Sequence, residues 1–213
     1  MYKKTFLAAF AITALNFLFT WFAAQHWDLS GIEGFFIKSS IVPAHWQIPI
    51  LSLIFMFGGW CAQYIDPHRK NLLSSKSIVV ISIVGLAAML FVVQIGDILV
   101  AANIISQAIG DGIVITAMYA LFLAFSNYLG TARKSYLTGL PTPWTMKSDL
   151  SWAKTHRLLG RMLTIVMLAA IVVTFAASVQ SGLNVFAAGI IASILSATIY
   201  SYFVYKKEQQ SIV

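Results

Sequence analysis

Six runs of about twenty apolar residues leave this chain few ways to fold. They cover about 5–24, 47–65, 77–96, 111–129, 160–179 and 184–205, and none carries a Lys, Arg or Glu in its middle. A helix rises about 1.5 Å per residue, so roughly 20 residues cross the hydrocarbon layer of a bilayer. Inside that layer the backbone finds no water, and every N–H and C=O must pair within the segment. The runs lack the apolar–polar alternation of barrel strands. They therefore predict an all-α polytopic membrane helix bundle with about six transmembrane helices. Composition agrees: 59% of the 213 residues are hydrophobic and 10% charged, against about 25% charged in soluble domains. With no repeat or low-complexity tract, residues 1–213 read as a single integral membrane domain.

The short segments between the runs predict orientation, because cytoplasmic loops carry an excess of Lys and Arg. Lys3 and Lys4 precede the first run. Arg69, Lys70 and Lys76 follow the second. Six basic residues from Arg133 to Arg161 follow the fourth, and Lys206 and Lys207 follow the sixth. With six crossings, 13 of the 14 basic residues fall on one side, and only Lys38 falls on the other. Both termini are then cytoplasmic (N-in/C-in), in a multi-pass protein of a bacterial cytoplasmic membrane. The net charge of +7 is spent on orientation and does not form the basic face that nucleic acid requires. The apolar stretch Thr5–Ala24 exceeds the roughly 7–15 residues of a signal-peptide core, so it reads as an uncleaved first span.

The outer segments are acidic or neutral. The first, about 25–46, carries His26, Trp27, Asp28, Glu33, His45 and Trp46. Its histidines are 19 residues apart and match no compact ligand spacing, so no metal is expected. In the third segment, Ile98–Ile109 is apolar but short and reads as an interfacial or re-entrant helix. In the fifth, Gln180–Asn184 reads as a tight turn. Within the spans, Asn16 and Gln94 suit interhelical hydrogen bonds. Cys61 is the only cysteine and reads as a packing residue.

The fourth segment holds the densest pattern. Gly130 and Gly139 punctuate it, and Pro141 and Pro143 hold a short extended piece. Thr145 or Ser148 can cap a new helix, with Asp149 in its first turn. Trp152, His156 and Leu159 then share one face, while Lys154, Arg157 and Arg161 lie on the others. This is an amphipathic cytoplasmic helix suited to the headgroup layer, running without a break into span five. Asp149 lies about 10 Å from His156 by helix rise, too far to orient it as a general base. An enzyme is not expected, nor is a cofactor.

These residues resemble the signature of the SdpI family of bacterial membrane proteins. The matching positions are Asn127-Tyr128, Gly139-Leu140, Thr142-Pro143-Trp144-Thr145, Trp152 and His156-Arg157. Ile65-Asp66-Pro67-His68-Arg69-Lys70-Asn71 and Val42-Pro43-Ala44-His45-Trp46 are similar to two further family stretches. One departure is clear: Pro141 stands where the family usually has an arginine. The resemblance implies a membrane immunity and sensor protein that protects against a secreted antimicrobial peptide and holds a cytoplasmic repressor at the membrane.

On that reading, Trp27, Asp28, Glu33, His45 and Trp46 meet a peptide toxin on the outer face. Asn127, Tyr128, Thr142, Pro143, Trp144, Thr145, Trp152, His156 and Arg157 form a cytoplasmic ligand- or partner-binding set. Membrane lipid is the remaining expected partner. A small-molecule or lipid transporter, drawing on Asn16, Gln94 and Asn127, is the alternative.

Overall fold

The computed structural model describes residues 2–32 and 42–211; Glu33 and Lys38 lie outside the described residues. Those residues form helices and turns only: α1 (Tyr2–His26), α2 (Ala44–Ile65), α3 (Arg69–Ser74), α4 (Lys76–Ala101), α5 (Gln107–Leu129), α6 (Pro143–Lys147), α7 (Asp149–Ala176) and α8 (Val179–Gln210). Six of the eight are long and apolar enough to cross a membrane, as expected from the six runs. Helix α4 contains one π turn, Ile81–Gly85.

The chain divides into two compact units. The first comprises Met1–Cys61 and Val80–Leu121, and the second Ala62–Val79 and Phe122–Val213. In the first unit, α1 is inside out relative to a soluble helix. Its buried face is Thr5, Ala9, Thr13, Asn16, Thr20 and Ala23, while Leu7, Phe10, Leu15, Leu18, Trp21 and Phe22 are exposed. Lipid is as apolar as leucine, so bulky side chains gain little by turning inward, whereas small and hydroxyl residues allow close packing.

Thr13 and Ser52 share a hydrogen bond of 3.0 Å between α1 and α2. Pro49 sits inside α2 and has no N–H for the carbonyl four residues back. That carbonyl belongs to His45, and the Gln94 side-chain amide donates to it at 3.0 Å. The expected interhelical bond is therefore made by Gln94. Asn16 makes none among the described residues, where both of its buried amide atoms lack a hydrogen-bond partner.

Two short elements differ from expectation. No separate helix forms over Ile98–Ile109. Its first residues finish α4 and its last ones start α5. Asn103 adopts φ 56°, a left-handed conformation that stops α4 within one turn. The tight turn expected at Gln180–Asn184 lies a few residues earlier. Ser178 caps α8 by accepting from the Ser181 amide at 3.1 Å, so 180–184 are already helical.

In the second unit, α7 and α8 pack along most of their lengths. A Cβ on Gly189 would come within 2.3 Å of Val166, so the glycine lets the two backbones approach. Helix α7 has 28 residues and α8 has 32. At 1.5 Å per residue both exceed a roughly 30 Å hydrocarbon layer, so each must project beyond it. The amphipathic stretch expected before span five is the start of α7, unbroken from Asp149.

Candidate functional site

The projecting start of α7 is held by a clasp of loops within the second unit, assembled from caps upward. Thr142 is extended and caps α6, with Pro143 as the first helical residue. Its hydroxyl accepts from the Thr145 amide at 3.1 Å, and the Thr145 hydroxyl accepts from the Thr142 amide at 2.8 Å. This is a reciprocal capping box with Thr in place of the usual Glu or Gln. Ser148 then caps α7, accepting from the Ser151 amide at 2.9 Å, and its own hydroxyl donates to the Glu208 carboxylate near the end of α8. Ser151 donates to the Ser201 carbonyl at 2.9 Å. Trp144 meets Tyr202 edge-on, with centroids 5.3 Å apart.

At the clasp's centre, His156 stacks on Trp152 with centroids 4.0 Å apart. Nδ1 donates to the Trp152 carbonyl at 2.8 Å, and Nε2 accepts from the Leu140 amide at 2.8 Å. This is the neutral tautomer with both nitrogens engaged. The Trp152 indole donates to the Ala132 carbonyl at 2.7 Å. Gly139 has φ +104°, and a Cβ there would lie 2.1 Å from His156 Nε2. Only glycine suits both the backbone and the space.

Asp66 anchors the other side of the loop. It is 4% exposed. Its carboxylate accepts from the Ser135 hydroxyl at 2.5 Å and from the amides of Tyr136, Leu137 and His68 at 3.0, 3.3 and 2.7 Å. Burial alone would raise its pKa. The hydroxyl and the three amides outweigh that and hold the carboxyl below the usual range. Asn71 donates to the Lys134 carbonyl at 2.9 Å, and Ser75 accepts from the Arg133 amide at 2.8 Å. A salt bridge of 2.7 Å joins Lys134 to the exposed Asp149.

The structure thus gathers Thr142, Thr145, Trp152 and His156 into one buried network, with Trp144 half-buried beside it. Asn127, Tyr128, Pro143 and Arg157 lie on the surface. Arg157 Nε donates to the Ala153 carbonyl at 3.2 Å. Sequence reasoning missed Asp66 as a partner of this loop, along with Ser135 and Glu208. The available signal was a lone acid beside Arg69 and Lys70, inside a stretch already singled out.

In the first unit, the Asp28 carboxylate is exposed and accepts from the Ser30 amide at 3.0 Å, which lowers its pKa. Trp27 is half-buried against Ala23, Leu29 and Ile98. Trp46 stacks with Phe17 at 5.9 Å and lies 5.7 Å from the His45 ring. His26 stacks on Phe22 at 4.1 Å. No group of three or more His, Cys, Asp or Glu gathers among the described residues.

Six apolar helices, polar residues turned inward and a capped loop clasp define a polytopic α-helical membrane protein. The SdpI/YfhL protein family model matches residues 131–204, which contain most of the clasp. The chain is also 24% identical to Immunity protein SdpI of Bacillus subtilis (strain 168) over 161 residues, 75% of this chain and 73% of that protein. The two matches support membership of the SdpI family. No solved structure matches.

Proposed function

We propose that this protein confers immunity to a secreted, membrane-active peptide from within a bacterial cytoplasmic membrane. The observation that carries the reading is the similarity over three quarters of the chain to a protein named as an immunity protein. The charge asymmetry supports an N-in/C-in arrangement, with the clasp facing the cytoplasm and Asp28 facing out. An exposed carboxylate held ionised by a backbone amide suits a cationic ligand. Trp27, His45 and Trp46 supply aromatic surface in the same outer segment, and Glu33 a second carboxylate.

On the cytoplasmic side, the exposed Asn127, Tyr128, Pro143 and Arg157 flank the clasp and offer a surface to a repressor. Peptide binding outside would alter how that surface holds the regulator. The chemistry is recognition, with no bond made or broken.

The test is expression in a peptide-sensitive bacterial host challenged with cationic membrane-active peptides. Expected is a higher survival threshold, reduced by Asp28→Asn combined with Glu33→Gln at equal membrane abundance. Unchanged sensitivity to every peptide tried would overturn the reading. A transport reading draws on Asn16 and Thr20, whose buried polar atoms lack partners within the first unit. Solute uptake by reconstituted vesicles, abolished by Asn16→Leu, would favour it instead.

A further inference from the structure

One face of α7 changes character abruptly along its length. Arg157, Arg161, Ile165, Leu168 and Val172 follow at steps of four, four, three and four residues, and all five are exposed. Ile165, Leu168 and Val172 are 67%, 51% and 63% exposed. Arg161 to Val172 spans about 16 Å of helix, close to the roughly 15 Å depth of one leaflet's hydrocarbon. The two arginines therefore sit at headgroup level when the apolar part of this face lies along one leaflet.

At that level the surface is a groove of about 490 Å³ between α5 and α7. Asn127 lines it on one side, Arg157 and Arg161 on the other, with Thr164 and Ile165 deeper. The groove exists because two glycines form its walls. A Cβ on Gly160 would lie 2.7 Å from the Ser126 carbonyl, and one on Gly130 would lie 3.1 Å from the Arg157 stem. Ser126 and Thr164 bond to each other at 3.0 Å and to carbonyls of their own helices, so the floor is already satisfied. The donors left over are those of the guanidinium groups and the Asn127 amide. Arg157 Nε is fixed on the Ala153 carbonyl, which leaves the terminal nitrogens of that side chain to face a ligand. Neither arginine is ion-paired to an acid among the described residues.

We propose that this groove binds the phosphate headgroup of an anionic phospholipid, with an acyl chain lying along Ile165, Leu168 and Val172. Two guanidinium groups recognise phosphate oxygens through paired N–H donors. The apolar stripe directly beyond them distinguishes a lipid from a soluble phosphate. The groove shares Asn127 and Arg157 with the surface offered to a regulator, but lipid binding itself needs neither peptide nor regulator.

The test uses the full-length protein purified in a neutral detergent. Thermal unfolding and native mass spectrometry are followed on adding phosphatidylglycerol, phosphatidylcholine or inorganic phosphate. Expected is retention and stabilisation by phosphatidylglycerol only. At about fivefold per basic residue near an anionic headgroup, Arg157→Gln with Arg161→Gln should weaken binding about 25-fold. Arg161→Gln alone should weaken it about fivefold, which keeps the test usable where the double variant folds poorly. Lys154→Gln, an exposed basic position outside the groove, should leave binding unchanged. Equal effects of both lipids, an unaltered response in the arginine variants, or full stabilisation by inorganic phosphate alone would each overturn the proposal.

Discussion

Gly139→Ala tests the clasp at its tightest point. The substitution meets two separate costs. An L-residue at φ +104° is strained by about 1–2 kcal/mol. The new methyl would also lie 2.1 Å from His156 Nε2. The imidazole cannot retreat freely, because Trp152 stacks behind it at 4.0 Å. Displacing it breaks the bond from the Leu140 amide, and a buried amide left unpaired costs about 1–3 kcal/mol. The expected loss is about 2–5 kcal/mol, a large part of a typical folding free energy. His156→Ala removes the obstacle but leaves the backbone strain. In that background Gly139→Ala should cost only about 1–2 kcal/mol. The assay is denaturant unfolding in mild detergent, followed by the summed fluorescence of the six tryptophans. Equal costs in both backgrounds would refute the steric argument, and a loss below about 0.5 kcal/mol would refute the strain argument as well.

Asp66→Asn keeps the shape of the anchor but turns one acceptor into a donor facing other donors. Whichever way the amide is flipped, it opposes either the His68 amide or the Ser135, Tyr136 and Leu137 group, so a loss of about 2–4 kcal/mol is expected in thermal unfolding. Because folding lowers the Asp66 pKa, its contribution is fully present above the unfolded value near 3.9. That contribution is lost as pH falls through the lower folded value; stability of the native protein should therefore drop in acid more steeply than that of Asp66→Asn. Asn16→Leu removes two unpartnered buried polar atoms at similar volume, and should raise stability by about 1–2 kcal/mol in unfolding measurements; a loss of that size would mean the amide has a partner such as buried water.

The spans were legible because a bilayer demands long apolar helices and little else produces them. Cap chemistry was legible at Ser148, where a small hydroxyl residue precedes Asp149. It was less so at Thr145, which is the reciprocal partner of the Thr142 cap and not the cap itself. The loop between α4 and α5 was misread because hydropathy is blind to a single left-handed residue: Asn103 ends one helix where the apolar run continues. Pairings distant in sequence were invisible. Nothing local announces that Asp66 receives Ser135, or that Ser148 reaches Glu208 sixty residues on. Gln94 was singled out as polar within a span, but its partner follows from Pro49, whose missing N–H frees the His45 carbonyl.

Four of the positions that carry the family resemblance, Thr142, Thr145, Trp152 and His156, are buried and engaged within the protein itself. Thr142 and Thr145 face each other, Trp152 and His156 face the loop backbone, and Gly139 exists to admit His156. Their joint task is to fix a loop against the start of α7, which orients Arg157 and Arg161 beside Asn127. The clearest departure from the family pattern lies elsewhere. Pro141 is exposed, between Leu140, which bonds His156, and Thr142, which caps α6. A proline there presents no surface charge where the family's signature would place a cation, and the caps and His156 bonds beneath it are complete. The clasp and the surface above it are therefore separable: the residue at 141 alters what a partner would meet while the bonds of Thr142, Thr145 and His156 stay in place.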